Sequence, residues 1–201
     1  MMRIIYLLFG CFLFASCSKN HDSNESANPP SIAITGPTVM YASPGDIYAI
    51  DAASGAFRWQ FSSDGALTRP AYGNGMIYIG TLDTLRVIAL DDSTGNIEWS
   101  LPMQNEVDFT ILINNTLYAG DNDEMLYAID PLTGKIKWDF KANNSWVSFT
   151  SYGSMVLASN DDQNFYALDA ESGNLRWTYS TSSSGVFASV GCLNSLIYEC
   201  C

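Results

Sequence analysis

The 201-residue chain contains a single histidine, His21. It lies in a polar stretch near the N-terminus, outside every repeated segment, which excludes a histidine general base in the folded body. Basic residues are scarce too: nine Lys and Arg stand against 21 Asp and Glu, a formal charge of −12. Without a stripe of Lys and Arg to neutralise phosphates, nucleic acid is excluded as a partner. The acidic residues are spread along the chain rather than gathered in a tail, so they read as a solvated surface. Charged residues make up only 15% of the chain and hydrophobic residues 47%, with 15 glycines. That balance suits strands and turns better than helices. The N-terminal apolar run, Ile4 to Phe14, is shorter than the roughly 20 residues a bilayer-spanning helix needs.

That run is a targeting segment. Met1-Met2-Arg3 supplies a positive start, and small residues ending in Cys17 follow the apolar stretch, the order expected at a processing site. Phe14-Ala15-Ser16-Cys17 resembles the lipobox of bacterial lipoproteins, which implies cleavage after Ser16 and lipidation of Cys17. The alternative is an ordinary secretory signal cut near Ser16, with Cys17 left as a spare thiol. Residues 1–16 are thus read as the signal peptide and 17–31 as a tether. Ser18 to Pro30 (SKNHDSNESANPP) is too polar to bury the apolar surface that folding requires. Of five cysteines, Cys11 leaves with the signal and Cys17 is the lipid site. Cys192, Cys200 and Cys201 remain, an odd number for an oxidising compartment. A Cys192–Cys200 bridge across the last hairpin is one possible pairing, and the sequence leaves it open.

From residue 32 onward the chain is repetitive. An eleven-residue phrase occurs four times: AIDAASGAFRW (49–59), ALDDSTGNIEW (89–99), AIDPLTGKIKW (128–138) and ALDAESGNLRW (167–177). Its fixed positions read Ala-x-Asp-x-x-Ser/Thr-Gly-x-x-x-Trp, and Trp59, Trp99, Trp138 and Trp177 recur at intervals of 40, 39 and 39 residues. Such a period marks a propeller or solenoid array. Each unit divides into four short strands: 67–72, 76–80, 85–90 and 96–101 in the second; 107–113, 116–119, 125–129 and 135–140 in the third; 146–152, 155–158, 165–168 and 174–179 in the fourth. The first unit shows 39–42, 47–50 and 57–61, with Ile32 to Ile34 a weaker first strand. A fifth begins with 186–190 and 195–198 and has no phrase. This is the pattern of four-stranded antiparallel blades in an all-β propeller, with about four and a half blades and an incomplete, truncated ring over 32–201. A compact four-bladed ring, with the last strands completing the first blade, is the alternative.

Within the phrase, Asp51, Asp91, Asp130 and Asp169 begin a turn by accepting backbone N–H groups two residues on. Gly55, Gly95, Gly134 and Gly173 supply a positive φ. Strict alternation in the fourth strand places Phe57, Trp59 and Phe61 on one face and Arg58 and Gln60 on the other. The third strands (IYAI, VIAL, LYAI, FYAL) are apolar on both faces, and their alanine leaves room for a ring of the next blade.

The phrase resembles the tryptophan-docking motif of the quinoprotein alcohol dehydrogenase-like, or PQQ-like, propellers, over roughly residues 36–200. The resemblance implies that the tryptophan of one blade docks on the motif of its neighbour, giving Trp59, Trp99, Trp138 and Trp177 a structural role with the aspartates and glycines above. Enzymes of this superfamily hold pyrroloquinoline quinone and a calcium-like metal on the propeller axis beside a vicinal disulfide. Cys200-Cys201 is a vicinal pair, but no other stretch matches their cofactor or metal ligands. Quinone and calcium are therefore expected only if the chain is a fragment of such a dehydrogenase. Asp121-Asn122-Asp123-Glu124 and Asp161-Asp162 lack the glycine and glutamate spacing of a calcium loop and read as turn chemistry. Trp146, near Phe149 and Tyr152, reads as packing in an aromatic-rich sheet.

Lipobox, tether and repeats together resemble the propeller lipoproteins of the outer-membrane β-barrel assembly machinery. The expected function is a non-catalytic scaffold without cofactor, metal or catalytic residues, bound to protein partners in the bacterial cell envelope. It would be held at the outer membrane by a palmitate-bearing anchor. An envelope sensor or surface-binding lipoprotein is a third reading. Cys17→Ala is expected to abolish acylation, seen by metabolic labelling with a fatty-acid analogue, and to release the chain from membranes. Unchanged membrane association would count against the anchor.

Overall fold

The computed structural model describes residues 38–43, 45–144, 146–161, 164–180, 189–193 and 196–200. The expected signal, the tether and Cys17 lie outside the described residues, as do Ile32 to Ile34, 186–188 and Cys201. Every regular element among the described residues is a β-strand. The first sheet has three antiparallel strands, β1 (Thr38–Ser43), β2 (Asp46–Asp51) and β3 (Phe57–Ser62). Three four-stranded sheets follow, each paired in chain order. They are β4 (Ala71–Gly73) to β7 (Ile97–Pro102) through β5 (Met76–Thr81) and β6 (Arg86–Asp91); β8 (Val107–Ile113) to β11 (Ile136–Lys141) through β9 (Thr116–Asp121) and β10 (Met125–Ile129); and β12 (Trp146–Tyr152) to β15 (Leu175–Ser180) through β13 (Met155–Asn160) and β14 (Asn164–Asp169). β16 (Ser189–Leu193) and β17 (Leu196–Cys200) pair only with each other, and β16 runs beside β12 and β13. No strand of the first sheet pairs with one of the last among the described residues, so the ring of blades is not closed. The final hairpin forms its own sheet and does not complete the first blade.

One boundary differs from the sequence reading for an identifiable reason. The strand expected over 67–72 survives as β4 alone, with Leu67 making an isolated bridge to Thr81. Pro70 lies between them and has no N–H to give to a ladder. The hairpin β4–β5 turns at Asn74 and Gly75, and β8–β9 at Asn114 and Asn115, all with positive φ. Such two-residue turns match the right-handed twist of the flanking strands.

The core lies between blades. Ile47, Ala49 and Trp59 of the first sheet pack with Ile77, Ile79, Ile88 and Leu90 of the second. Tyr78, Val87 and Ala89, from the other face of that second sheet, pack with Val107, Leu117, Ala119 and Ile129 of the third. A third layer joins Tyr118, Leu126, Ala128 and Trp138 to Trp146, Val156, Tyr166 and Leu168. Successive residues of β5 and β6 thus serve opposite neighbours, which is why these strands are apolar throughout. Each fully buried Ile or Leu contributes about 1.5–3 kcal/mol relative to exposure. On the other face of the fourth sheet Leu157, Phe165 and Ala167 form a further buried cluster.

The outer strands depart from strict alternation. Between β2 and β3 the register slips, with Ile50 opposite Phe57 but Ala49 opposite Trp59. The same slip occurs at Ala89/Leu90, Ala128/Ile129 and Ala167/Leu168. One residue before each tryptophan is therefore extra, a β-bulge that re-aims the side chains around it. Phe57 and Trp59 face opposite sides, Phe57 being 58% exposed and Trp59 only 7%. The ring opposite each alanine is the tryptophan of the same blade, because the ladder pairs Ala49 with Trp59, Ala89 with Trp99, Ala128 with Trp138 and Ala167 with Trp177.

In the last hairpin, Cys192 pairs with Ile197 and Cys200 with Ser189. The two cysteines stand three ladder steps apart, about 10 Å at the rise of a strand.

Candidate functional site

The phrase folds into one local structure four times. In the first copy the Asp51 N–H donates to the Ala56 carbonyl at 2.8 Å, and the Gly55 N–H to the Asp51 carbonyl at 2.8 Å. Oδ1 of Asp51 accepts from the N–H of Ala53 at 3.1 Å, the N–H of Ser54 at 2.8 Å and the Ser54 hydroxyl at 2.8 Å. Asp91, Asp130 and Asp169 accept from the residues at the same offsets, including the hydroxyls of Thr94, Thr133 and Ser172. The requirement for Ser or Thr in the phrase follows from these bonds, since its hydroxyl shares the carboxylate oxygen that its backbone N–H already engages.

These bonds hold the carboxyls below the usual carboxylate range. The Arg58 guanidinium, then Ser54, lowers Asp51; Arg176, then Ser172, lowers Asp169. Ser93 lowers Asp91. At Asp130 burial pulls upward, and hydrogen bonds from Thr133 outweigh it. The two ion pairs, Arg58–Asp51 and Arg176–Asp169, were not anticipated from the phrase. Their signal is an arginine seven residues after the aspartate, on the bulge before the tryptophan. Glu98 and Lys137 occupy that position in the middle copies.

Between blades, the indole N–H of Trp59 donates to the Asp92 carbonyl at 3.0 Å, that of Trp99 to the Pro131 carbonyl at 2.9 Å, and that of Trp138 to the Ala170 carbonyl at 3.1 Å. In each case the acceptor follows the phrase aspartate of the next blade. The ring lies over the phrase glycine. A Cβ built on Gly95, Gly134 or Gly173 would stand 2.6, 2.7 or 2.6 Å from the indole of Trp59, Trp99 or Trp138. Glycine is therefore required twice, for a φ near +70° and for lack of a side chain. The end copies differ. A Cβ on Gly55 would meet nothing within 4 Å. Trp177 stacks on Phe165 of its own blade, with centroids 5.9 Å apart, and no carbonyl accepts its N–H among the described residues. It is 36% exposed, against 8% for Trp138, and Tyr179 beside it is 62% exposed.

The other candidates are occupied by structure. Asp121 is buried; it accepts the N–H groups of Asp123 and Met125 at 3.0 Å each and the Tyr127 hydroxyl at 3.2 Å. Asp123 pairs with Lys141 at 3.1 Å. Asp161 is exposed, and Asp162 lies outside the described residues. Among the described residues no group of three His, Cys, Asp or Glu is placed to hold a metal ion. Trp146 is buried against Phe140, Phe149 and Tyr166, and its N–H donates to the Glu124 carbonyl at 3.1 Å.

The family described as outer membrane protein assembly factor BamB matches residues 18–139 and 107–195. The chain belongs to this family. No curated protein sequence matches it. Among solved structures it is similar to BamB from Moraxella catarrhalis, with 17% identity and a TM-score of 0.69, covering 80% of this chain and 54% of that one. It is also similar to two computationally designed proteins. Ika8 aligns at 15% identity and TM-score 0.72, over 83% of this chain and 53% of the design; Ika4 at 15% and 0.61, over 69% and 86%. The chain thus spans about half the length of the BamB and Ika8 chains it matches. At these identities the structural likeness shows the fold, a PQQ-like repeat propeller of the BamB family.

Two outcomes follow from this geometry. Gly134→Ala is expected to destabilise the fold by roughly 1–3 kcal/mol more than Gly75→Ala in urea unfolding. Both glycines have positive φ, but only at Gly134 does an indole fill the space of the added methyl. Equal losses would show that the close approach contributes nothing. The phrase carboxyls also impose a pH dependence. Their folded pKa values lie below the unfolded value of about 3.9, so below that value the unfolded chain binds more protons. Stability is expected to be full above about pH 4 and to fall as pH drops further, measured by urea unfolding from neutral to acidic pH. Asp169→Asn should flatten that fall.

Proposed function

We propose that the chain is a non-catalytic propeller that works as a protein-binding scaffold in outer-membrane protein assembly, anchored to the membrane through lipidated Cys17. The observation that carries this reading is the match to the outer membrane protein assembly factor family across residues 18–195. The site chemistry supports it. The repeated aspartates and hydroxyls are bonded within their turns, and the indole N–H groups of Trp59, Trp99 and Trp138 are bonded between blades, which suits a framework rather than a reaction centre. Partner contact then falls to loops and exposed strand edges, where the acidic surface favours basic or polar partners. The scaffold needs neither quinone nor metal, and its setting is the bacterial cell envelope.

Deleting the gene in its own bacterium and quantifying membrane proteins tests this. A selective loss of outer-membrane β-barrel proteins, restored by the intact chain, is the expected result; unchanged barrel levels would overturn the assembly role. Purified chain given pyrroloquinoline quinone and calcium is expected to show no alcohol-dependent dye reduction. Turnover there would replace the scaffold with a dehydrogenase.

A further inference from the structure

One position of the phrase points an apolar side chain into solvent in every copy. Two residues before each tryptophan stand Phe57, Ile97, Ile136 and Leu175, which are 58%, 53%, 44% and 48% exposed. Ile97 and Ile136 belong to the second and third sheets, each packed between two neighbours, so their exposure comes from the phrase itself. The bulge beside each tryptophan sets the two residues on opposite sides of the outer strand. Leu132, in the turn of the third copy, is exposed as well. Because the copies are related by the repeat, these side chains form a row along the rim that carries the phrase turns. A repeated apolar row of this kind marks an interaction surface.

The charges beside the row say what covers it. Next to the apolar residue stand Arg58, Glu98, Lys137 and Arg176 in turn. Glu98 and Lys137 are exposed. Arg58 and Arg176 are tied to Asp51 and Asp169 of their own turns, and the Arg58 side chain is only 8% exposed. We infer that the row docks on the same row of a second copy of this chain, about a two-fold axis between the second and third blades. That axis sets Ile97 against Ile136 of the other copy and Glu98 against Lys137, each contact occurring twice. Asp92 then falls opposite Pro131, and Lys135 opposite Asn96, so these two copies of the phrase set no like charges together. Other axes fail on charge. An axis through the second or third blade puts Glu98 on Glu98 or Lys137 on Lys137. One between the third and fourth blades puts Lys137 on Arg176, and one between the first and second offers Glu98 only the occupied Arg58. Opposite charges fix the register, and the apolar side chains supply the burial.

The test is native mass spectrometry of the full 201-residue chain in detergent with reductant, across micromolar concentrations, and the expected species is the dimer. Glu98→Lys and Lys137→Glu should each weaken it by about a hundredfold, because like charges then meet twice. Glu98→Lys also reduces the net negative charge, so general repulsion between acidic chains predicts the opposite change. The two reversals combined in one chain leave the net charge unaltered and should restore the dimer, as should mixing the two single variants. Ile136→Ser should weaken it by about tenfold with no change of charge. All three positions are exposed, and circular dichroism checks that each variant folds. A wild-type monomer throughout, a dimer indifferent to the single reversals, or a double reversal that stays monomeric would each overturn the proposal. Since this readout is mass, it is independent of the assembly role proposed above.

Discussion

The contact on which the rest of this molecule depends is an indole lying on the turn of the next blade. It combines three terms that need one another. The ring covers apolar surface, its N–H satisfies a carbonyl that the turn leaves unpaired, and the glycine beneath has no side chain to hold the ring away. Each term is modest alone, since a hydrogen bond is worth about 1 kcal/mol net. Together they fix the position of one sheet against another, because the N–H and the ring edge must both fit.

Everything local in the phrase prepares that contact. The aspartate gathers two backbone N–H groups and a hydroxyl, which makes the turn rigid before anything docks on it. The bulge before the tryptophan rotates the outer strand so that the ring, and not the residue two before it, faces the neighbour. Ion pairs reinforce the turn in the first and last copies, where Arg58 and Arg176 reach the phrase aspartates, while the middle copies are braced on both sides by packing.

A stack of this kind behaves as a nearly one-dimensional system whose stability is a sum of units and nearest-neighbour interfaces. The phrase aspartates and their hydroxyl partners are engaged in the turns themselves.

The fourfold phrase, the period near 40 and the turn chemistry were legible in the sequence because each depends on residues close together in the chain. The aspartate accepts from positions two and three ahead, and glycine's φ is a property of glycine. The sequence resemblance also pointed to the family that the comparisons show. Three things were not legible. Pro70 shortened β4, and whether it would break or only delay the strand depended on the ladder beside it. Phe57 faced away from Trp59, because a bulge is a relation between two strands and leaves no trace in the alternation of one. The ion pairs of Arg58 and Arg176 came from that same bulge. By itself, then, the sequence determined the repeat, the all-β class and the local turns. Only the tertiary structure decided which tryptophans are covered, because Trp59, Trp99 and Trp138 each lie on a neighbour's turn and Trp177 meets none among the described residues. Identical phrases thus acquire different surroundings from their place in the stack.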